Sequence, residues 1–347
     1  MRLFPKTRLG KLRFALLFAV PISLGAGFFH FTNMPGESFA GPFEPLSPEE
    51  AAVAERLREH VTRLAGGIGA RDVTRPEALE SAALLIHAAW TELGFEVREQ
   101  EYDSQGTAVR NLFVELPGAS ARGEIVVVGA HYDTAYGSPG ADDNASGVAA
   151  LLELSREYAP SSPAPRTPAR TLRFVAFVNE EPPHFWKETM GSGVYADLCR
   201  SLDEDVVAMV SLESLGYFDA GAGSQRYPWP LNHFYGDRGD FIAFVGSTSS
   251  RELVHECIAT FREHAAFPSE GIAAPIWIPG IGWSDHLSFD LAGYPAVMVT
   301  ATAPFRNRNY HRLTDLPATL DYERMARVVA GLSSVVEALT RPPATAE

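Results

Sequence analysis

The chain has 347 residues, 46% of them hydrophobic, with a formal charge of −14 at pH 7. That composition supports a large buried core, and the negative balance disfavours nucleic acid and acidic surfaces as partners. Cys199 and Cys257 are the only cysteines, too few for a thiolate zinc site, so a metal would have to be held by histidine and carboxylate. The sequence leaves open whether the two thiols pair.

Arg2, Lys6, Arg8, Lys11 and Arg13 make a basic start, and residues 14–31 follow without a charged side chain. This is the pattern of a signal peptide or signal-anchor over residues 1–31. Its basic end would lie on the cytoplasmic side, which puts the rest of the chain outside the cytoplasm, secreted, periplasmic or anchored through this segment. As a span it is near the minimum length and is weakened by Pro21, Gly25 and Gly27. Residues 32–46, rich in Pro, Gly and Ser, read as a linker, 47–340 as the folded domain and 341–347 as a tail.

Ser47-Pro48-Glu49-Glu50 is a capping box with proline at the first helical position, predicting a helix over 47–64. A second helix is predicted over 76–93, stopped by Gly94. Strands are expected at 95–102 and 111–116, and the apolar run 125–129 reads as a strand buried on both faces. Residues 146–158 have helical spacing, and 161–169 form a Pro-rich loop. Strands at 172–178, 206–212, 241–245 and 296–299 alternate with helices at 249–265 and 322–339. The pattern predicts an α/β fold with a largely parallel sheet between helical layers.

Metal-type side chains gather at the ends of the apolar runs, where α/β proteins build their sites. His131 follows the run 125–129, and Asp133 is placed to accept the N–H of its second ring nitrogen. Asp142-Asp143-Asn144 opens the next helix. One aspartate can cap it, and the other, read as Asp143 with Asp142 in support, can bridge two cations. Glu180-Glu181 follows the strand at 172–178. The two side chains point in different directions, so one can bind metal while the other acts as general base. Glu213 ends a third strand, and His311 lies downstream with Asp315 four residues further on. Two dications about 3.5–4 Å apart need a shared carboxylate and a histidine and a carboxylate each. Five ligands and one base are present for such a hydrolase.

The chain resembles the zinc-dependent exopeptidases of metallopeptidase family 28, which include bacterial leucyl aminopeptidases. The resemblance covers about residues 49–340. It rests on Gly129-Ala130-His131-Tyr132-Asp133, on the run from Gly140 to Gly147, on Asn179-Glu180-Glu181, on Ser284-Asp285-His286 with Gly293-Tyr294-Pro295, and on Tyr310-His311. It implies a three-layer α/β/α fold with a mixed, mostly parallel sheet of about eight strands. His131 and Glu213 would hold one Zn2+ and Glu181 and His311 the other, with Mn2+ or Co2+ as substitutes. Asp143 would bridge the ions, Glu180 would be the base and Asp133 would orient His131. Glu213 stands where the well-known members usually carry aspartate. Asp285, His286 and Tyr310 are candidate substrate contacts.

The expected activity is removal of the N-terminal residue from peptides. The alternatives are a one-zinc glutaminyl cyclase on a similar scaffold, a carboxypeptidase for acidic C-terminal residues that would use Arg238, Arg306 or Arg308, and a non-catalytic ectodomain. Phe185, Trp186, Tyr217, Trp229, Trp277 and Trp283 read as loop packing rather than as a specificity pocket.

Overall fold

Eight strands form one sheet in the order β1-β2-β4-β3-β5-β8-β6-β7. They are β1 (Arg98–Ser104), β2 (Thr107–Leu116), β3 (Ala121–His131), β4 (Arg170–Phe177), β5 (Asp205–Glu213), β6 (Ile242–Gly246), β7 (Ser269–Ala273) and β8 (Ala296–Thr300). The central strands β4, β3, β5 and β8 run parallel. On one side β2 is antiparallel to β4 and pairs with β1, and on the other β6 is antiparallel to β8 and parallel to β7. This is the mixed sheet expected.

The computed structural model describes residues 29–342, together with 7–9, 11, 14, 17, 25 and 27. Most of the segment read as a signal peptide or anchor, and the tail from residue 343, lie outside the described residues. Among the described residues no helix is long and apolar enough to cross a membrane.

Helices cover both faces. The larger core packs α1 (Pro48–Val61), α2 (Pro76–Glu92), α3 (Gly147–Arg156), α5 (Arg251–His264) and α8 (Tyr322–Leu339) on one face of the sheet. The opposite face carries α4 (Gly191–Ser201) and the short α6 (His286–Leu291) beside a third apolar cluster over β6, β7 and β8; a one-turn helix α7 (Ala303–Arg306) precedes α8. Residues Val126 and Val128 of β3 point into the first core and Ile125 and Val127 into the second, which is why this strand reads as an unbroken apolar run.

Local chemistry sets the boundaries. Ser47 Oγ accepts the Glu50 N–H at 3.1 Å and Glu50 returns the bond to the Ser47 N–H at 2.8 Å, closing the capping box. Helix α1 continues into a widened turn, Thr62–Ile68, near the expected end. Gly94, at φ 84°, stops α2 in a conformation that costs glycine nothing. The two cysteines are buried and unpaired. Residues 33–46 have no regular structure and are docked. Arg262 donates to the Pro35 and Gly36 carbonyls at 3.0 Å, the Ser269 N–H donates to Ser38 Oγ at 2.8 Å, and Phe43 stacks on Phe267.

Candidate metal centre

The C-terminal ends of β3, β4 and β5 lie side by side, and β3 sits where successive connections depart in opposite directions, the usual place for an α/β site. His131 is the last residue of β3, Glu180 and Glu181 follow β4, and Glu213 ends β5. Asp143 comes from the loop between β3 and α3, and His311 from the loop after α7. Backbone at Asn179, Ser214 and His311 has φ of 60°, 50° and 57°, a left-handed conformation costly for most residues and found here beside the candidate base, beside a candidate ligand and at a candidate ligand.

Two triads result, His131–Asp143–Glu213 and Asp143–Glu181–His311, with donor atoms inside 4.8 Å of one another in each. His131 Nε2 lies 3.4 Å from Asp143 Oδ1 and 3.3 Å from Glu213 Oε2. His311 Nε2 lies 3.0 Å from Asp143 Oδ2 and 3.2 Å from Glu181 Oε2. Asp143 thus turns one oxygen to each histidine. Glu180 belongs to neither triad, and its Oε2 is 3.9 Å from His131 Nε2.

Supporting groups fix these side chains. Asp133 accepts the Glu180 and Glu181 N–H groups at 3.1 Å each, and its Oδ1 is 3.5 Å from His131 Nδ1. One carboxylate therefore ties the end of β3 to the loop after β4. Glu213 accepts from Ser214 Oγ at 2.7 Å and from Ser284 Oγ at 2.8 Å. Asp142 points away from the triads and holds the Gly216 and Tyr217 N–H groups and the Asn307 amide, in the supporting role expected of it. Asp315 accepts the Asp142 and Asp143 N–H groups at 3.0 and 3.2 Å. Asn144 bonds the Leu212 carbonyl and the Ser214 N–H, joining the Asp143 loop to the end of β5. A side chain at Gly147 would collide with Asn144 and Leu212, so glycine is required at that approach.

Arg71 carries no functional signal in the sequence, and Ser284 and Asn144 stand there only as parts of motifs, with no role of their own. Arg71 is fully buried and donates to the carbonyls of Gly69, Tyr132, Pro139 and Gly140, bracing both loops that deliver His131 and Asp143. It lies outside any recognisable motif; only the Ser-Asp-His run could have pointed to Ser284.

The donor set fits divalent metal. Asp133, Asp143, Glu180, Glu181 and Glu213 are all buried, and among the described residues none forms an ion pair with lysine or arginine. Glu181 Oε1 is buried without a hydrogen-bond partner among the described residues. Burial opposes the Asp143 charge, but hydrogen bonds from the two histidines hold its carboxyl well below the usual range. Burial and then the charge of Asp143 push Glu181 up to about 8, and burial pushes Glu180 well above its ordinary value. His311 rises to about 10 against the effect of burial, through Asp143 and Glu181. Acids and imidazoles raised together mark a cluster short of positive charge, the condition that a dication relieves.

The substrate candidates separate. Tyr310 stacks on the His311 ring at 3.8 Å between centroids and lines a cleft that Glu213 also lines. Asp285 and His286 do not line it. His286 is buried with Nε2 2.7 Å from the Ile281 carbonyl, and Asp285 is buried behind the triads, where burial pushes it up to about 7. Trp283 does line the cleft, the one aromatic of those read as loop packing to do so. The arginines of the carboxypeptidase reading are committed elsewhere. Arg306 is buried on Gln225 and the Phe241 carbonyl, Arg238 donates to the Ala220 carbonyl, and Arg308 faces Asp219 at 3.8 Å.

An open α/β sheet with carboxylate–imidazole triads at its C-terminal edge defines the class of metal-dependent hydrolases. The chain belongs to peptidase family M28, whose model matches residues 111–336. Its relatives include the uncharacterized protein YfbL of Escherichia coli K12, 36% identical over 84% of this chain and 90% of that one. A probable leucine aminopeptidase of Arthroderma otae is 26% identical over 64% of this chain, which spans only 55% of that relative. Among solved structures, BSAP, a zinc aminopeptidase from Bacillus subtilis, aligns with TM-score 0.67 at 16% identity over 85% of this chain and 96% of that one. A glutaminyl cyclase from Fimbriiglobus ruber aligns with TM-score 0.60 at 19% identity over 88% and 98%. The fold is therefore common to both chemistries.

Proposed function

We propose that this chain is a two-zinc aminopeptidase that cleaves the N-terminal peptide bond of peptides. The observation that carries the reading is Asp143, set between His131 and His311 at 3.4 and 3.0 Å, which makes two ligand triads share one carboxylate. His131 and Glu213 would hold one ion, and Glu181 and His311 the other. Zinc bound there would polarise the scissile carbonyl and lower the pKa of water. Glu180 is the general base: it is buried, raised well above its ordinary value by that burial, and held by no triad, so it can take a proton and return it to the leaving amine. Asp133 positions His131 and the backbone under Glu180. The complete second triad favours this reading over a one-zinc cyclase, and the placement of Arg238, Arg306 and Arg308 weighs against a carboxypeptidase. The basic and then apolar N-terminal stretch supports an extracytoplasmic place of action.

The test is hydrolysis of leucine 4-nitroanilide by the full chain, followed by chelation and readdition of zinc. Release of nitroaniline that falls on chelation and returns with zinc is expected. Hydrolysis indifferent to chelator, or ring closure of N-terminal glutamine without peptide hydrolysis, would overturn the proposal.

A further inference from the structure

The cleft beside the metal centre has a direction. Glu213 of β5 is in register with Thr300 of β8, Thr300 with Ala243 of β6, and Ala243 with Glu270 of β7. Paired residues of neighbouring strands point to the same face of a sheet. All four residues line the cleft, so it runs across the strands from a metal-ligand carboxylate at one end to a second carboxylate at the other. Three strand spacings of about 4.8 Å put roughly 14 Å between the backbones of Glu213 and Glu270. Between them the walls are apolar and aromatic. Tyr227 stacks on Tyr235 at 5.3 Å between centroids, and Trp283 on Phe305 at 5.9 Å.

Glu270 stands out on this face, where its neighbours Ala243, Ile272 and Met298 are core residues. It is half-buried and makes no hydrogen bond or ion pair among the described residues. Arg262, whose charge acts on it, has its donors on Ser269 Oγ, Ser269 O and the Pro35 and Gly36 carbonyls. The Tyr227 hydroxyl is also buried without a partner among the described residues, whereas Tyr235 donates to the Gly271 carbonyl. Glu270 and Tyr227 therefore offer an unused acceptor pair at the far end of an apolar trough. Burial raises the Glu270 carboxyl, and a cation delivered there would reverse that shift.

We propose, building on the aminopeptidase reading, that this trough receives the side chain of the substrate's N-terminal residue and that Glu270 selects for arginine or lysine there. The long methylene stem packs between the aromatic walls, and the cationic head reaches Glu270, with a guanidinium also able to stack on the rings. Leucine fills only the part next to the metals and gains nothing from Glu270. A carboxylate left alone in an apolar wall is unfavourable, so a peptide that brings the counter-charge is preferred over one that does not.

The experiment compares the zinc-loaded full chain with its Glu270→Gln and Glu270→Leu variants. Two readouts are taken: kcat/KM for the 4-nitroanilides of arginine, lysine, norleucine and leucine, and calorimetric binding of free L-arginine against L-norleucine. The wild type is expected to favour arginine over norleucine. Both variants should lose about 30-fold or more of the arginine preference while leucine hydrolysis stays within about twofold, which also shows that they fold. An arginine-to-norleucine ratio unchanged in both variants, with hydrolysis intact, overturns the pocket and leaves the aminopeptidase reading standing. Arginine binding that depends on Glu270 without hydrolysis of any anilide supports the pocket and overturns the aminopeptidase reading. Neither hydrolysis nor Glu270-dependent binding overturns both.

Discussion

Asp133→Asn keeps the size of the side chain and removes its charge at a point where three groups converge. The carboxylate accepts the Glu180 and Glu181 N–H groups at 3.1 Å each and faces His131 Nδ1 at 3.5 Å. Whichever way the amide turns, its NH2 meets a backbone N–H that has no other acceptor. A buried donor left unpaired costs about 1–3 kcal/mol, and weakening the second bond from a charged to a neutral acceptor costs about 1 kcal/mol more. The sum is about 2–4 kcal/mol. With an unfolding entropy of about 2.1 cal/mol/K per residue over roughly 300 ordered residues, Tm of the metal-free protein should fall by about 3–6 °C. Because the same carboxylate aims His131 and places Glu181, zinc affinity should fall by about 10–100-fold. Differential scanning calorimetry and competition against a chromophoric zinc chelator read the two effects separately. An Asn variant that melts with the wild type and binds zinc within about twofold would refute the idea that Asp133 clamps these elements together.

Glu180→Gln should keep zinc and Tm while lowering kcat by about a hundredfold or more, since proton transfer is lost and no ligand is removed; kcat within about threefold of wild type would remove Glu180 as base. Ser284→Ala frees Glu213 Oε2, whose donor lies at 2.8 Å, and should weaken zinc by about tenfold at one site while the other, built by Glu181 and His311, holds. Equal weakening at both sites in a zinc titration would contradict that assignment. His286 is held down to about 4 by burial, against an ordinary 6.5. The folded protein therefore keeps the ring neutral where the unfolded chain takes up a proton. This contribution is fully present above pH 6.5 and is lost as pH falls toward 4, by up to about 3 kcal/mol. The slope of Tm against pH in that window should be shallower in His286→Asn, and identical slopes would remove His286 as its cause.

The candidate ligands were legible because metal chemistry restricts residue type and α/β folds put such residues at strand ends. His131, Asp143, Glu180, Glu181 and Glu213 each lie at or just past the end of an apolar run or at the helix opening that follows it. Their partners were less visible. Arg71 sits in a turn after the first helices, and its role comes from four backbone carbonyls that no sequence pattern reports. Strand β7 escaped because Ser-Glu-Gly-Ile-Ala lacks a long apolar run, and its Glu270 is a half-buried carboxylate that lines the cleft. Helix α4 escaped because it opens on Gly191-Ser192-Gly193, although Tyr195, Ala196 and Cys199 bury its inner face. The first two strands, expected at 95–102 and 111–116, run over 98–104 and 107–116 and pair as a hairpin. Its turn is Gln105-Gly106, both at positive φ, where an Asn-Gly pair would have announced it, and β1 is a polar edge strand. The aromatic lining comes from loops and from α7 rather than from any strand, so only Trp283 and Tyr310 were among the aromatics singled out from sequence.

The central claim is that one carboxylate serves two metal ions. The measurement that tests it most directly is zinc per chain in the wild type and in Asp143→Ala, by elemental analysis of protein dialysed against trace zinc and checked for folding by circular dichroism. The account predicts two zinc in the wild type and loss of both in the folded variant. One zinc in the wild type, or two retained without Asp143, would contradict it.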